Sequence, residues 1–162
     1  MRTVRIYHPE PLADHAVCDL TDDAANHVGR VLRMQVGEPL KIFNGDGYDY
    51  SGVIQAVGKK TVTIALHDRE FRADESPLKI HLGQGISRGD RMDFAIQKAV
   101  ELGVTEITPL FTERCGVKLD AERAEKKREQ SQKIVIAASE QSGRAVVPVV
   151  HPLVSLSSWL GQ

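Results

Sequence analysis

Residues 78–111 read LKIHLGQGISRGDRMDFAIQKAVELGVTEITPLF, and this stretch decides the fold class. LKIHLGQGI is a mostly apolar run that is typical of a strand. DRMDFAIQKAVELG has helical spacing, with Asp90 near its start and Gly103 after its end. VTEITPLF is a second strand candidate. A strand, a helix and a second strand in this order predict a right-handed crossover between parallel strands.

The same alternation continues after this stretch. DAERAEKKREQSQKIVIAASEQ, at 120–141, predicts a second helix, and VVPVV, at 146–150, predicts a third strand. SLSSWL, at 155–160, begins what reads as another helix. Three parallel strands make a small sheet whose first strands lack neighbours on which to close a core. We therefore expect residues 73–162 to be an α/β domain that is incomplete as given.

The first half of the chain follows a different pattern. Val4–Tyr7 is a short strand candidate. Leu20–Met34 has the apolar spacing of a helix, which Thr21 or Asp22 can cap. Gly37 can close the turn after that helix.

A hairpin is the clearest signal in this half. KIF and YDYSGVIQAV are alternating runs, and Asn44-Gly45-Asp46-Gly47 joins them. Asn and Gly adopt positive φ at little cost, so this junction favours a tight turn. TVTIAL, at 61–66, predicts another strand, and the polar HDREFRADESP, at 67–77, predicts a linker. These elements predict a small, mainly β domain over residues 1–72.

Composition sets broad limits on function. The chain is 41% hydrophobic and 27% charged, which is ordinary for a globular protein, and no run is long enough to span a bilayer. MRTVRIYHPE lacks the apolar core of a secretion signal, so we expect a cytoplasmic protein. The two cysteines and six histidines lack metal-ligand spacing, which argues against a zinc site. The net charge of −1 argues against nucleic-acid binding by bulk electrostatics alone, although a local basic face remains possible.

Three basic residues of the first predicted helix are candidates for binding RNA. His27 and Arg30 are three residues apart, as are Arg30 and Arg33, so neighbours in this trio can share a helical stripe. Arginine makes planar, bidentate contacts to phosphate and to base edges. A solvated helix face with a capping arginine would show the same pattern, and the residues alone leave both interpretations open.

The second half contains further candidates. Arg114 follows the second strand, and loops at the carboxyl ends of strands are where open α/β sheets build their sites. Lys98 and Glu101 lie three residues apart near the end of a helix, as an ordinary surface pair also would. Gly83-Gln84-Gly85 lacks the third glycine of a dinucleotide-binding loop, which argues against cofactor binding there. A binding role and a structural role are both open for the residues at the end of the second helix, Glu140, Gln141, Ser142 and Arg144.

Three segments together resemble the RsmE family of bacterial 16S rRNA uridine-N3 methyltransferases, along nearly the whole chain: HVGRVLRMQVGEPLKIFNGDG, QKAVELGVTEITPLFTERC and AASEQSGRAVVP. The family's motif positions fall, in matching order and spacing, on His27, Val31–Arg33, Gly37, Lys98, Glu101–Gly103, Pro109, Arg114, Glu140–Ser142 and Arg144. There are two departures, Asn44 where acidic residues are common and Cys115 where serine is usual.

This resemblance implies an N-terminal PUA-like RNA-binding β-barrel followed by an incomplete parallel α/β SPOUT methyltransferase domain of the trefoil-knot type. It further implies a homodimer, not attached to membranes, that transfers a methyl group from S-adenosylmethionine to N3 of a uridine in the 16S rRNA of the 30S subunit. The family's cofactor loops, a GPEGG-type turn and an LRTETA-type segment, do not occur in the sequence. We therefore expect no cofactor-binding residues up to Gln162, and we expect this chain by itself to be inactive.

The resemblance also suggests roles for the candidate residues. Attack by uracil N3 on a sulfonium methyl requires loss of the N3 proton or stabilisation of negative charge at O2 and O4. Arg114 or Arg144 would supply the positive charge, while Glu101 or Glu140 would orient an arginine or accept a proton. The expected RNA-binding residues are His27, Arg30, Arg33, Lys98, Glu140 and Gln141.

Two other functions remain open. A non-catalytic RNA-binding protein would keep the barrel and lack the knot. Alternatively, a second copy of the chain would complete the unfinished sheet in a homo-oligomer.

Overall fold

The computed structural model describes residues 3–12, 16–115 and 118–162. The chain divides into two compact units. Unit 1 comprises Met1–Glu75 together with Gly143–Val146, and unit 2 comprises Ser76–Ser142 and Val147–Gln162. The chain therefore leaves unit 2, contributes a short segment to unit 1 and returns.

Unit 1 is built on one five-stranded sheet, curled into a half-barrel. Its strands are β1 (Arg5–Tyr7), β2 (Val17–Leu20), β3 (Pro39–Phe43), β4 (Tyr48–Val57) and β5 (Val62–Phe71). Their order in the sheet is β1-β3-β4-β5-β2, with β1 parallel to β3 and the other pairs antiparallel. The predicted hairpin between β3 and β4 is confirmed. We did not predict β2, which ends at the residue where we expected the first helix to begin.

The predicted linker at 67–77 is wrong in its first part. β5 continues to Phe71 and pairs with the start of β4 through Tyr48↔Phe71 and Asp49↔Glu70. The residues from His67 to Phe71 are all exposed, so this end of the strand carries polar side chains that resemble a loop in the sequence. Backbone pairing with β4, which the composition does not encode, makes it a strand.

The helical segment of unit 1 is shorter than we predicted. It consists of α1 (Asp22–Asn26) and a π-helical turn, His27–Val31. Thr21 occupies the N-cap position, but its side chain makes no capping hydrogen bond. The predicted turn at Gly37 is confirmed, because this residue has a φ of 89° and its N–H donates to the Ile54 carbonyl at 2.7 Å.

Gly52 lies where β4 and β5 change register. A Cβ at this position would lie 2.7 Å from Ile64 Cγ2 and 2.8 Å from the Ala65 carbonyl oxygen. We expect Gly52→Ala to destabilise unit 1 by about 1–3 kcal/mol, as overpacking of a core does. Gly29→Ala is the control, since its added methyl would meet Val57 at an ordinary 3.5 Å. Equal urea midpoints for the two variants would contradict the close approach of β4 and β5.

Unit 2 is a parallel α/β sheet with helices. Its strands are β6 (His81–Gly85), β7 (Glu106–Phe111), β8 (Val149–Val150) and β9 (Val154–Ser155), and its helices are α2 (Arg91–Glu101), α3 (Ala121–Ser142) and α4 (Leu156–Leu160). β7 pairs in parallel with β6 on one side and with β8 and β9 on the other. The predicted parallel strand-helix-strand pattern is confirmed.

The core of unit 2 forms where α2 and α3 pack on this sheet. Met92, Ile96 and Val100 follow one face of α2, and all three are fully buried. Ile107 on β7 and Val135 on α3 are equally buried in the same cluster. Within the described ranges, no helix is long and apolar enough to cross a membrane.

Candidate functional site

A basic surface forms at one end of the unit 1 sheet. Gly29, in the π-helical turn, lies against the end of β4 and the start of β5, where a Cβ would be 3.5 Å from Val57 and 3.6 Å from Val62. This packing brings Arg30 to the β4–β5 turn, where its Nη2 donates to the Lys59 carbonyl at 3.5 Å. We define the basic surface as Arg30, Arg33, Lys59 and Lys60, which are all exposed.

The π-helical turn changes how His27 and Arg30 are presented. The Leu32 N–H donates to the His27 carbonyl, five residues back, at 2.9 Å. Because this turn is wider than an α-helical turn, the spacing that placed His27 and Arg30 on one stripe does not apply. His27 is half-buried, whereas Arg30 is exposed. We did not single out Lys59 and Lys60, because two lysines in a hairpin turn are also expected of any solvated loop.

Asp49 is the centre of a buried charged network in unit 1. Its side chain is 0% exposed and accepts hydrogen bonds from Arg5 Nη2 at 2.6 Å and Arg72 Nη1 at 2.8 Å. Burial alone would raise the pKa of Asp49, but the hydrogen bonds and charges of Arg5 and Arg72 outweigh burial and lower it. Asp49 is therefore a buried carboxylate that is held in its charged form.

The charged network also includes Arg144, which lies in the Gly143–Val146 segment of unit 1. Arg5 Nη2 also donates to the Arg144 carbonyl at 3.0 Å. The Arg144 guanidinium makes a bidentate pair with Glu75, with Nε–Oε1 at 3.0 Å and Nη2–Oε2 at 2.7 Å. Arg144 is only 9% exposed. The structure thus places Arg144 in an ion pair within unit 1, and its expected catalytic role stays a prediction.

The other predicted residues lie in unit 2. Lys98 Nζ pairs with Glu101 Oε2 at 3.0 Å near the end of α2, in the geometry of an ordinary i,i+3 surface pair. Arg114 is exposed in the loop that follows β7, as we expected from its position in the sequence. Glu140 and Gln141 lie in the last turn of α3. Of these residues, the structure brings Lys98 and Glu101 together.

We did not predict a polar cluster on the unit 2 sheet. His81 Nε2 lies 2.7 Å from Thr108 Oγ1, and His151 Nε2 lies 2.9 Å from Glu106 Oε1. The hydrogen bond from His151 lowers the pKa of Glu106. The ring centroids of His81 and His151 are 5.2 Å apart. In the part of the chain that the structure describes, no group of three or more His, Cys, Asp or Glu residues could hold a metal ion.

The close packing around Gly83 requires a residue without a side chain. A Cβ at this position would lie 2.7 Å from the Trp159 ring and 2.9 Å from Leu110 Cδ1. The glycine therefore lets α4 approach β6 closely. This close packing explains why position 83 is a glycine. A nucleotide-binding loop is not needed to explain the first glycine of Gly83-Gln84-Gly85.

Two of the cavities on the described surface are of similar size. The larger, of about 470 Å³, is a groove between α2 and α3 in unit 2. The smaller, of about 420 Å³, lies in unit 1 beside Pro9, Pro11 and the Asn44–Asp46 turn. Neither cavity is lined by the loop that follows β7.

The curled β unit and the parallel α/β unit match, in this order, the two domains of a class of RNA methyltransferases. Residues 74–162 match the family model of an RNA methyltransferase domain, and residues 20–66 match that of an RNA methyltransferase PUA domain. The chain belongs to the RsmE family, the ribosomal RNA small subunit methyltransferases E.

Relatives of known name and structure are similar over nearly the whole chain. Ribosomal RNA small subunit methyltransferase E of Buchnera aphidicola from Schizaphis graminum is 38% identical, over 92% of this chain and 61% of that protein. A Legionella pneumophila methyltransferase solved with bound S-adenosylmethionine is 44% identical, with a TM-score of 0.96 over 100% of this chain and 67% of that chain. The Neisseria gonorrhoeae methyltransferase E bound to S-adenosylmethionine is 42% identical, with a TM-score of 0.93 over 99% of this chain and 66% of that chain. This chain spans 61% of the length of the Buchnera relative.

Proposed function

We propose that this chain acts in S-adenosylmethionine-dependent methylation of uridine N3 in 16S rRNA. The observation that carries the proposal is the match of both units, in the same order, to relatives named as small subunit rRNA methyltransferases. In this function unit 1 holds the RNA, and unit 2 supplies side chains at the carboxyl ends of its strands. The family resemblance also supports a homodimer acting on the 30S subunit in the cytoplasm, where the ribosomes are.

The direct test is the modification itself. Mass spectrometry of 16S rRNA from a strain that lacks the gene should show loss of N3-methyluridine, and a plasmid copy of the gene should restore it. Retention of N3-methyluridine in the deletion strain would refute the proposal. A deletion strain that keeps the nucleoside, together with tight binding of 16S rRNA by the chain, would favour the non-catalytic RNA-binding protein.

We propose that the basic surface binds RNA phosphates. Four exposed cations form this surface: Arg30 lies in the π-helical turn, Arg33 lies two residues after the end of that turn, and Lys59 and Lys60 lie in the hairpin turn that Arg30 contacts. A local concentration of this kind can bind a polyanion even though the net charge of the chain is −1. His27 would contact the same RNA at the edge of this surface, and Lys98, Glu140 and Gln141 are the proposed RNA-binding residues of unit 2.

Removing two charges from the basic surface should change the salt dependence of RNA binding. For Arg30→Gln combined with Arg33→Gln, we expect the slope of log affinity against log salt to fall by up to roughly 1.4–1.8, because each lost phosphate contact removes about 0.7–0.9. Fluorescence anisotropy with a labelled 16S rRNA fragment measures this slope. Arg123→Gln combined with Lys126→Gln, two exposed cations of α3, is the matched control. Equal slopes for the two double variants would count against this surface.

S-adenosylmethionine, when bound, would supply an electrophilic sulfonium methyl group. The side chains of this protein would supply positive charge next to the uracil and a group that accepts a proton from it. Arg114 is the exposed cation at the end of β7, and we propose that it stabilises negative charge at uracil O2 or O4. Glu101 is the proposed proton acceptor, and Arg144 the alternative source of charge.

A further inference from the structure

Three exposed apolar side chains lie among the cations of the basic surface. Val31 and Leu32 stand between Arg30 and Arg33 in the sequence, and they are 62% and 40% exposed. Val57, at the end of β4, is 41% exposed and lies against the same π-helical turn. None of the three belongs to the buried core of unit 1. We call them the apolar patch, and an apolar patch bordered by charge is typical of a binding surface.

The charge around the apolar patch is of one sign. Residues 27–36 and 57–61, which carry the patch and the basic surface, contain no Asp or Glu. Within the described ranges, none of the four cations of the basic surface forms a salt bridge with a carboxylate. A surface of this kind is complementary to a polyanion, whereas a protein surface usually carries charges of both signs.

Arg33 has a backbone conformation that suits glycine. Its φ is 53°, in the left-handed region, which an arginine adopts at a cost and a glycine adopts freely. Gln35 Nε2 donates to the Arg33 carbonyl at 2.9 Å and holds the chain in this conformation. In the part of the chain that the structure describes, the Arg33 guanidinium makes no hydrogen bond or ion pair. The packing of unit 1 therefore does not explain an arginine at this position, and a ligand outside the chain would.

We propose that the apolar patch binds the face of an unstacked RNA base while the surrounding cations bind the phosphates next to it, so that this surface takes single-stranded RNA in preference to a regular duplex. In an A-form duplex the bases are stacked, and the accessible groove displays 2′-hydroxyls and base edges. Apolar side chains would meet no base face there. An unstacked base exposes its apolar face, and contact with the patch removes both from water. This inference deepens the proposed function and rests on it, since RNA is the partner that the function supplies.

A change in the apolar patch should affect single-stranded RNA alone. We expect Val31→Ala to weaken binding of labelled oligouridine by roughly 4- to 15-fold, about fourfold for each buried carbon that is removed. Binding of the duplex of oligouridine with oligoadenosine should not change, and neither should the slope of log affinity against log salt, because every cation remains. Val17→Ala is the matched control, since Val17 is a valine of the same unit, on β2, and is 48% exposed. No loss, or an equal loss for both RNAs, would overturn the proposal.

Two further variants separate the apolar contact from the charged one. Leu32→Ala should also weaken oligouridine binding and leave duplex binding unchanged. Arg33→Gly should instead weaken binding of both RNAs and reduce the salt slope, because a phosphate contact is lost. It should not lower the urea midpoint of unit 1, since glycine suits the φ of position 33. An unchanged salt slope for Arg33→Gly would overturn the assignment of this arginine to a phosphate.

Other occupants of the apolar patch give distinct results. If a second copy of the chain covers it, sedimentation will show a change in association state for Val31→Ala, and the proposal fails. If Val31→Ala weakens binding to phosphatidylglycerol vesicles and not to oligouridine, the patch binds a lipid surface, and the proposal also fails. Loss of N3-methyluridine in the deletion strain is independent of these results. Failure of this proposal is therefore distinguishable from failure of the proposed function.

Discussion

Replacement of Asp49 by asparagine should lower the free energy of unfolding of unit 1 by about 3–5 kcal/mol, the usual cost of removing one partner from a buried ion pair. The substitution keeps the volume of the side chain and removes its charge. Arg5, whose side chain is 8% exposed, would then lie beside a neutral amide, and Arg72 would lose the same anion. Arg5 also donates to the Arg144 carbonyl, and the Asp49 carboxylate that orients Arg5 for this hydrogen bond would be gone.

The aromatic residues allow this loss to be assigned to one unit. All three tyrosines, Tyr7, Tyr48 and Tyr50, lie in unit 1, and the single tryptophan, Trp159, lies in unit 2. Urea unfolding followed by tyrosine fluorescence should shift to lower urea in Asp49→Asn, while the tryptophan signal reports unit 2. Asp19→Asn is the control, because Asp19 is an exposed carboxylate that accepts one hydrogen bond from Thr63. Similar tyrosine midpoints for the two variants would show that the buried network contributes little.

The same variant should remove a pH dependence. The folded-state pKa of Asp49 is lowered, so its stabilising contribution is fully present above the unfolded-state pKa of about 3.9. The contribution is lost as the pH falls below that value through the folded-state pKa, because the unfolded chain takes up the proton first. Urea midpoints measured from neutral pH to below pH 4 should therefore fall less steeply for Asp49→Asn than for the unmodified protein. Parallel curves would contradict a lowered pKa.

Arg114→Ala should reduce methyl transfer to 30S particles by roughly 100- to 1,000-fold, the range seen when one donor to a developing anion is removed. This expectation rests on the proposed function, on the exposed position of Arg114 after β7 and on the need to stabilise charge at uracil O2 and O4. The measurement is single-turnover transfer of labelled methyl by the variant and by the unmodified protein. RNA affinity, measured by anisotropy, should change little. A loss of RNA affinity alone would instead indicate that Arg114 contacts a phosphate.

Two comparison variants give this result its meaning. Arg123→Ala removes another exposed arginine, on α3, and should leave methyl transfer unchanged. Arg144→Ala should instead destabilise unit 1, because Glu75 would lose its bidentate partner. Normal transfer by Arg114→Ala, with a selective loss in a folded Arg144→Lys variant, would move the catalytic role to Arg144.

Local sequence patterns were sufficient for most of the secondary structure. The strands β3, β4, β6 and β7 and the helices α2 and α3 follow from apolar spacing with turn residues at their ends. The errors arose where tertiary pairing overrode local pattern. The outer part of β5 is polar, so it resembled a loop until its pairing with β4 was known. The π-helical turn at His27–Val31 begins inside a segment with ordinary helical spacing.

The candidate site was predicted only in part. Arg30 and Arg33 stood out because basic residues at short helical spacing are a local signal. Lys59 joined the basic surface only through folding, which brings the β4–β5 turn to Arg30.

The sequence by itself determined the two-part architecture, the parallel pattern of the second half and the family. These depend on residue type at short spacing, or on motifs in a given order. Only the tertiary structure decided that Asp49 is a buried anion and that Arg144 is bound within unit 1. Arg5 is 44 residues from Asp49 and 139 from Arg144, and Arg144 is 69 residues from Glu75. No local periodicity encodes which charges meet over such separations, because that depends on how the whole backbone closes around them.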